Sequence, residues 1–167
     1  MNELLSNSED SEIEHLASSY AKQIMNKTCV IYGGTGLTEL VSSRWKTQIN
    51  ENSKAKAFIG SMPEVHHNEI LSWQADKDGS MENFILIFLR SPFEHPQIKK
   101  RFELSEKLLG DKVQILNIST KESKDELKIL MELVLLGDLT SIHLANNLNM
   151  KPEDIDTIEE LKKLLKG

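Results

Sequence analysis

Glu51 and His67 are the residues of this chain whose types and setting best suit proton-transfer chemistry. Glu51 lies in Gln48-Ile49-Asn50-Glu51-Asn52, and His67 in His66-His67-Asn68-Glu69. Carboxylates and imidazoles are side chains able to exchange protons, given a suitable setting. The polar stretch from Arg44 to Trp73 is flanked by apolar runs on both sides. Asn, Glu and His gathered where an α/β unit has its loops and helix ends point to a site rather than a core. Each residue also has a plainer reading, Glu51 as a solvated helix-end carboxylate and His67 as a capping or surface histidine. Asn50 and Asn52 weigh toward the site, because paired amides can orient a carboxylate and its substrate.

Other groups invite chemistry with less support. Gly33-Gly34-Thr35-Gly36 could turn backbone amides at a helix start toward an anion, or could simply be a tight strand-to-helix turn. Its glycine spacing matches neither a dinucleotide fingerprint nor a phosphate loop with Gly-Lys-Ser/Thr. His66, His67 and Glu69 have ligand-like spacing, but no second cluster of His, Cys or acids completes a metal site, so no metal is expected. His95 and His143 are read as surface or capping residues, and Lys162 by composition as a solvated helix-face residue. Cys29, the single cysteine, sits in an apolar run as a buried strand residue.

The elements that must hold these residues alternate between helix and strand. Apolar spacing predicts a helix over Ser11–Met25, a strand over Thr28–Tyr32 and a helix over Leu37–Asn50. A strand over Ala55–Ile59 and a short helix over Asn68–Trp73 come next. Phe84–Leu89 has no alternation, as expected of a strand covered on both faces. A helix over Pro96–Leu109 closes on Gly110, and a strand covers Val113–Ile118. A long helix over Leu127–Leu148 could be interrupted at Gly137-Asp138. Pro152 restarts the chain toward a terminal helix marked by Ile155, Ile158, Leu161, Leu164 and Leu165.

This order predicts an α/β fold, a three-layer α-β-α sandwich with a mainly parallel sheet of four to five strands. Ligands of such sheets bind at the carboxyl ends of the strands, which here include Gly33, Gly34 and Gly60. The expected organisation is a flexible N-terminus over 1–10 and a single domain over 11–167. At 167 residues such a domain can bury roughly 70% of its unfolded surface. A net charge of −6 argues against a nucleic-acid groove, and no apolar run approaches the ~20 residues needed to span a bilayer. The acidic start, unlike a signal or transit peptide, and the lone cysteine lead us to expect a cytoplasmic protein.

The stretch Arg44-Trp45-Lys46-Thr47-Gln48-Ile49-Asn50-Glu51-Asn52-Ser53-Lys54, with Pro63-Glu64 and His67-Asn68-Glu69-Ile70, strongly resembles the bifunctional phosphoglucose/phosphomannose isomerases of archaea and some bacteria. Val30-Ile31-Tyr32-Gly33 and Ile158-Glu159-Glu160-Leu161-Lys162 fit the same pattern. Those enzymes carry two sugar-isomerase (SIS) folds in tandem, and this chain resembles the second from about residue 12 onward. The resemblance implies interconversion of glucose 6-phosphate or mannose 6-phosphate with fructose 6-phosphate through a cis-enediol. It implies Glu51 as the base, His67 as the ring-opening group reaching in from a partner subunit, and Lys162, or its neighbour Lys163, lining the site. Gly33, Gly34, Arg44, Gln48 and Asn52 would surround the substrate, with no cofactor. The partners implied are the sugar phosphate and either a second copy in a homodimer or a first SIS half. The family's phosphate-binding loops and an arginine near the enediolate lie in that first half. Where members commonly carry Asp-Pro-Thr-Pro before the last helix, this chain has Lys151-Pro152-Glu153-Asp154, placing a carboxylate near the expected phosphate. Two other functions fit the same residues. One is a non-catalytic SIS module that binds sugar phosphates, the other a purely structural dimerisation domain.

Overall fold

A computed structural model describes residues 8–74, 79–120 and 123–166. Among them run helix α1 (Ser8–Ile24), strand β1 (Thr28–Gly34), α2 (Leu37–Ser53), β2 (Ala57–Met62), β3 (Phe84–Leu89), α3 (Pro96–Leu109), β4 (Gln114–Ile118), α4 (Glu126–Asn147) and α5 (Asp156–Lys166). Three short 3₁₀ turns, Glu64–His66, Glu69–Trp73 and Ser80–Asn83, lie between β2 and β3. All strand pairs are parallel, in the order β2-β1-β3-β4. This is the predicted α/β sandwich.

Side chains alternate across the sheet, so each strand feeds two cores. Cys29, Ile31, Ile85, Ile87 and Leu89 pack under α1, α2 and α4, while Val30, Tyr32, Leu86 and Phe88 pack under α3 and the 3₁₀ turns. Burial on both faces explains the unbroken apolar run of β3, and each such Ile or Leu contributes about 1.5–3 kcal/mol. Cys29 is one of these core residues, and burial pushes its thiol up to about 12, so it stays neutral. None of the helices is long and apolar enough to cross a membrane among the described residues.

α2 and α4 pack against one another with unusual closeness. Trp45 is fully buried, and its indole N–H donates to the Leu133 carbonyl at 2.8 Å. Gly137 lies directly beneath the indole, where a Cβ would overlap Nε1. The glycine therefore admits the ring, and α4 runs through Gly137-Asp138 without the interruption the sequence suggested. Asp125 caps α4 by accepting from Leu127 N–H and Lys128 N–H, and His95 with Pro96 caps α3.

Several boundaries differ from the sequence expectation. α1 begins at Ser8, inside the stretch expected to be loose, of which residues 1–7 lie outside the described residues. β2 starts and ends later than predicted, continuing through Gly60-Ser61 to buried Met62, because Gly60 is part of the strand. There Tyr32 and Val65 leave no room for a Cβ. The expected short helix is present as a 3₁₀ helix over Glu69–Trp73, with Asn68 as its N-cap. α5 is amphipathic, yet none of its residues is buried, and Leu164 and Leu165 are 73% and 78% exposed.

Candidate active site

Glu51 belongs to the last turn of α2, which extends to Ser53 rather than ending at Asn50. Since α2 runs back from the carboxyl end of β1, that turn lies at the opposite, amino end of the sheet. Asn50 fixes this placement, its Oδ1 accepting from the N–H of Ala57, the first residue of β2, at 3.0 Å. His67 follows Met62, the last residue of β2, and so belongs to the carboxyl end. The six-residue strand between them spans roughly 17–20 Å. One copy of the chain therefore holds the two groups on opposite sides of its sheet.

Around Glu51 the neighbours are ordered by α2–α4 packing. Arg44 makes a two-pronged contact with Asp138, Nε to Oδ1 at 3.0 Å and Nη2 to Oδ2 at 2.8 Å. This pair keeps the Arg44 guanidinium above even its ordinary pKa, chiefly through the Asp138 hydrogen bond. Being half exposed, it is worth well under about 1 kcal/mol, so it orients rather than stabilises. Asn52 Nδ2 donates to Ser141 Oγ at 2.8 Å and to Gln48 Oε1 at 2.9 Å. With the Gln48 carboxamide turned over, its oxygen instead accepts from both terminal nitrogens of Arg44 at 3.1 Å. Arg44, Gln48 and Asn52 thus form one row along α2, leading to Glu51.

Lys54, in the left-handed conformation with φ 55°, closes α2. Its ammonium donates to the Glu51 carbonyl at 2.6 Å and to the Pro152 carbonyl at 3.2 Å. That second bond pins the segment entering α5 beside the turn that carries Glu51. Lys162 and Lys163 rise along exposed α5 from this base, so the terminal helix begins at the Glu51 end of the molecule. The side chains of Glu51, His67 and Lys162 make no hydrogen bond to other described residues. Glu153 is exposed in the connection before α5.

At the carboxyl end the glycine turn has a different role. Gly33 pairs with Ser61 and Leu89 in the sheet, and a Cβ there would overlap the Thr38 backbone. Gly34 N–H donates to Thr38 Oγ1 at 2.8 Å, and a Cβ would come within 2.6 Å of Ile98. Thr35 N–H and hydroxyl both donate to the Met62 carbonyl. Close packing accounts for Gly33 and Gly34, and the amides of Gly34 and Thr35 already serve Thr38 and Met62.

His66 is anchored where His67 is not. Its Nε2 lies 2.7 Å from Ser105 Oγ, and Nδ1 lies 3.1 Å from Arg101 Nη1, both on α3. Among the described residues no group of three or more His, Cys, Asp or Glu is placed to hold a metal ion. A cavity of about 490 Å³ lies elsewhere, between the exposed β2 edge (Phe58, Ile59), Trp73 and Phe84, and includes none of Glu51, His67 or Lys162. Asp138 and Ser141 hold Arg44 and Asn52; the sequence marked Asp138 only as part of a possible helix break and did not mark Ser141. Only the apolar face of the α4 segment hinted that it would meet α2.

Residues 13–165 match the family model for the bacterial phospho-glucose isomerase C-terminal SIS domain. The chain is 33% identical over 146 residues to a bifunctional phosphoglucose/phosphomannose isomerase from Aquifex aeolicus, covering 87% of this chain and 45% of that protein. It is 31% identical over 154 residues to one from Caldicellulosiruptor bescii, covering 92% and 45%. The chain therefore spans a little under half the length of these curated relatives. A solved glucosamine-6-phosphate deaminase from Thermotoga maritima shares the fold, with a TM-score of 0.61 at 14% identity over 85% of this chain and 43% of that one.

Proposed function

The chain belongs to the family of bacterial phospho-glucose isomerase C-terminal SIS domains, and from that premise we propose that it supplies the base for an aldose–ketose isomerisation of glucose 6-phosphate or mannose 6-phosphate with fructose 6-phosphate. The observation that carries this reading is Glu51 itself. Its carboxylate accepts no hydrogen bond from the described residues, sits on the last turn of α2 beside a tied row of amides, and lies near the Pro152 segment that leads into the lysine-bearing α5.

In this reading His67 shuttles a proton between the ring oxygen and the C1 hydroxyl to open the pyranose. Glu51 then takes the proton from C2. The electron pair of that bond forms the C1–C2 double bond, while the C1 oxygen takes up a proton to give the cis-enediol. Return of the proton from Glu51 to C1, with loss of the O2 proton, gives the ketose. Lys162 offers positive charge where negative charge grows on these oxygens. Because Glu51 and His67 lie a strand length apart in one copy, the reading requires the imidazole to come from a second subunit. The phosphate is assigned to a first SIS half, and the Gly34 amide is already taken by Thr38. No step calls for a metal or cofactor, and a cytoplasmic location belongs to the same reading.

Glu51→Gln keeps the shape and removes the base. In an active preparation, coupled detection of fructose 6-phosphate formation should fall by about 10²–10⁴-fold with the thermal midpoint unchanged. Full activity in that variant would remove Glu51 from the mechanism. Fructose 6-phosphate binding without turnover by the wild-type chain would favour the non-catalytic module instead.

A further inference from the structure

Between Glu64 and Glu69, every side chain but one is held by another of the described residues. Val65 is buried in the core on the α3 side of the sheet. The Asn68 amide donates to Glu64 Oε1 at 3.3 Å, and its carbonyl oxygen accepts from Glu69 N–H at 2.6 Å. Glu69 Oε2 accepts from the Tyr32 hydroxyl at 3.1 Å, and that hydroxyl accepts from the Trp73 indole at 3.1 Å. The imidazole of His67 is the exception, and its neighbour His66 carries the most directional anchor of the segment. Arg101 can only donate, so Nδ1 of His66 accepts and Nε2 bears the hydrogen. Nε2–H then donates to Ser105 Oγ, whose own hydrogen goes to the Arg101 carbonyl at 2.9 Å. The chain of donors closes only for a neutral imidazole of this one tautomer.

We infer that His66, held by Ser105 and Arg101, is a positioning residue that fixes the backbone of the 3₁₀ turn so that the free ring of His67 is presented at a set place and angle. The inference rests on the proposed role of His67. Misplacement of a reacting group by about 1 Å costs up to ~10²-fold, so an anchor one residue away is well placed to matter. The groups facing His66 agree with a neutral ring. Arg101 of α3 and His67 of its own turn are cationic or can become so, and burial, with these two charges, holds the His66 imidazole below its ordinary range. The nearest acid of the turn, Glu64, is engaged with Asn68. Acid should therefore protonate His66, expel Arg101 from Nδ1 and loosen the turn.

The test compares His66→Gln with His66→Leu. A glutamine can accept from Arg101 and donate to Ser105, whereas leucine fills the space and does neither. Hydrogen–deuterium exchange over 63–68 should stay slow in H66Q and accelerate at least ~10-fold in H66L. Coupled isomerase kinetics should show kcat near wild type in H66Q and about tenfold lower in H66L, with KM within about twofold. The acid limb contributed by His66 should also be missing from the H66Q rate profile. Equal exchange in the two variants, or equal kcat, would overturn the positioning role. A wild-type chain without turnover would instead defeat the proposed function, and the exchange data would still decide whether His66 holds the turn.

Discussion

The two ends of the sheet treat their polar groups differently. At the carboxyl end the Gly34 and Thr35 amides serve Thr38 and Met62, His66 is locked onto α3, and the His67 ring has no hydrogen-bond partner among the described residues. At the amino end a row of ordered groups, Arg44 with Asp138 and Asn52 with Ser141, leads to Glu51, whose carboxylate accepts no hydrogen bond from the described residues. In the reading proposed here each end carries one proton-transfer group on a fixed platform, and only a second subunit can bring these two half-sites together.

The largest expected effect at the carboxyl end is structural. Gly33→Ala forces a methyl group into the Thr38 backbone, and denaturant unfolding should register a loss of about 2–3 kcal/mol or outright failure to fold. A variant of normal stability that loses only phosphate affinity would return the turn to the anion-binding reading. Gly137→Ala probes the other end through α2–α4 packing, where the added methyl meets the Trp45 indole. A loss of about 1–3 kcal/mol is expected by the same measurement. Ser141→Ala is gentler, because buried Ser141 supplies only one of the two acceptors of Asn52, which is itself partly exposed and keeps Gln48. Stability should drop by about 1 kcal/mol or less, while kcat falls several-fold if the amide row orients Glu51 or its substrate. Unchanged kinetics would confine that row to a structural role.

The smallest effect is the pH dependence of His66. Its folded-state value is held below the ordinary value of 6.5, so the unfolded chain binds the proton more readily as pH falls. The stabilising contribution is complete above about pH 6.5 and is lost as pH falls through the folded-state value. Chemical-denaturation midpoints between pH 7.5 and about 5 should fall less steeply in H66Q than in the wild type. Identical slopes would contradict the neutral anchored ring.

Much of the scaffold was legible because strong local signals agreed with the tertiary structure. β3 covers the predicted Phe84–Leu89, and α3 the predicted Pro96–Leu109, where an unbroken apolar run and a Pro start leave little ambiguity. β2 was misread because Gly60 looked like a stop, although it is a strand residue chosen for lack of space. The resemblance drew attention to Glu51 and His67, but the sequence could not show that α2 and β2 carry them to opposite ends. The roles of Asp138 and Ser141 escaped notice for a related reason. These residues meet Arg44 and Asn52 across separations of 94 and 89 residues, and the meeting depends on Gly137 admitting Trp45. The ties of His66 to Ser105 and Arg101, 39 and 35 residues away in the sequence, were hidden in the same way.

The most direct test of two half-sites is complementation between inactive subunits. Glu51→Gln and His67→Ala chains, each nearly inactive alone, are mixed in equal amounts under conditions of subunit exchange and assayed for fructose 6-phosphate formation. Random exchange makes about half the dimers mixed, each with one intact site of two, so roughly a quarter of wild-type activity should return. A mixture no more active than the average of its two components would contradict a site shared between subunits.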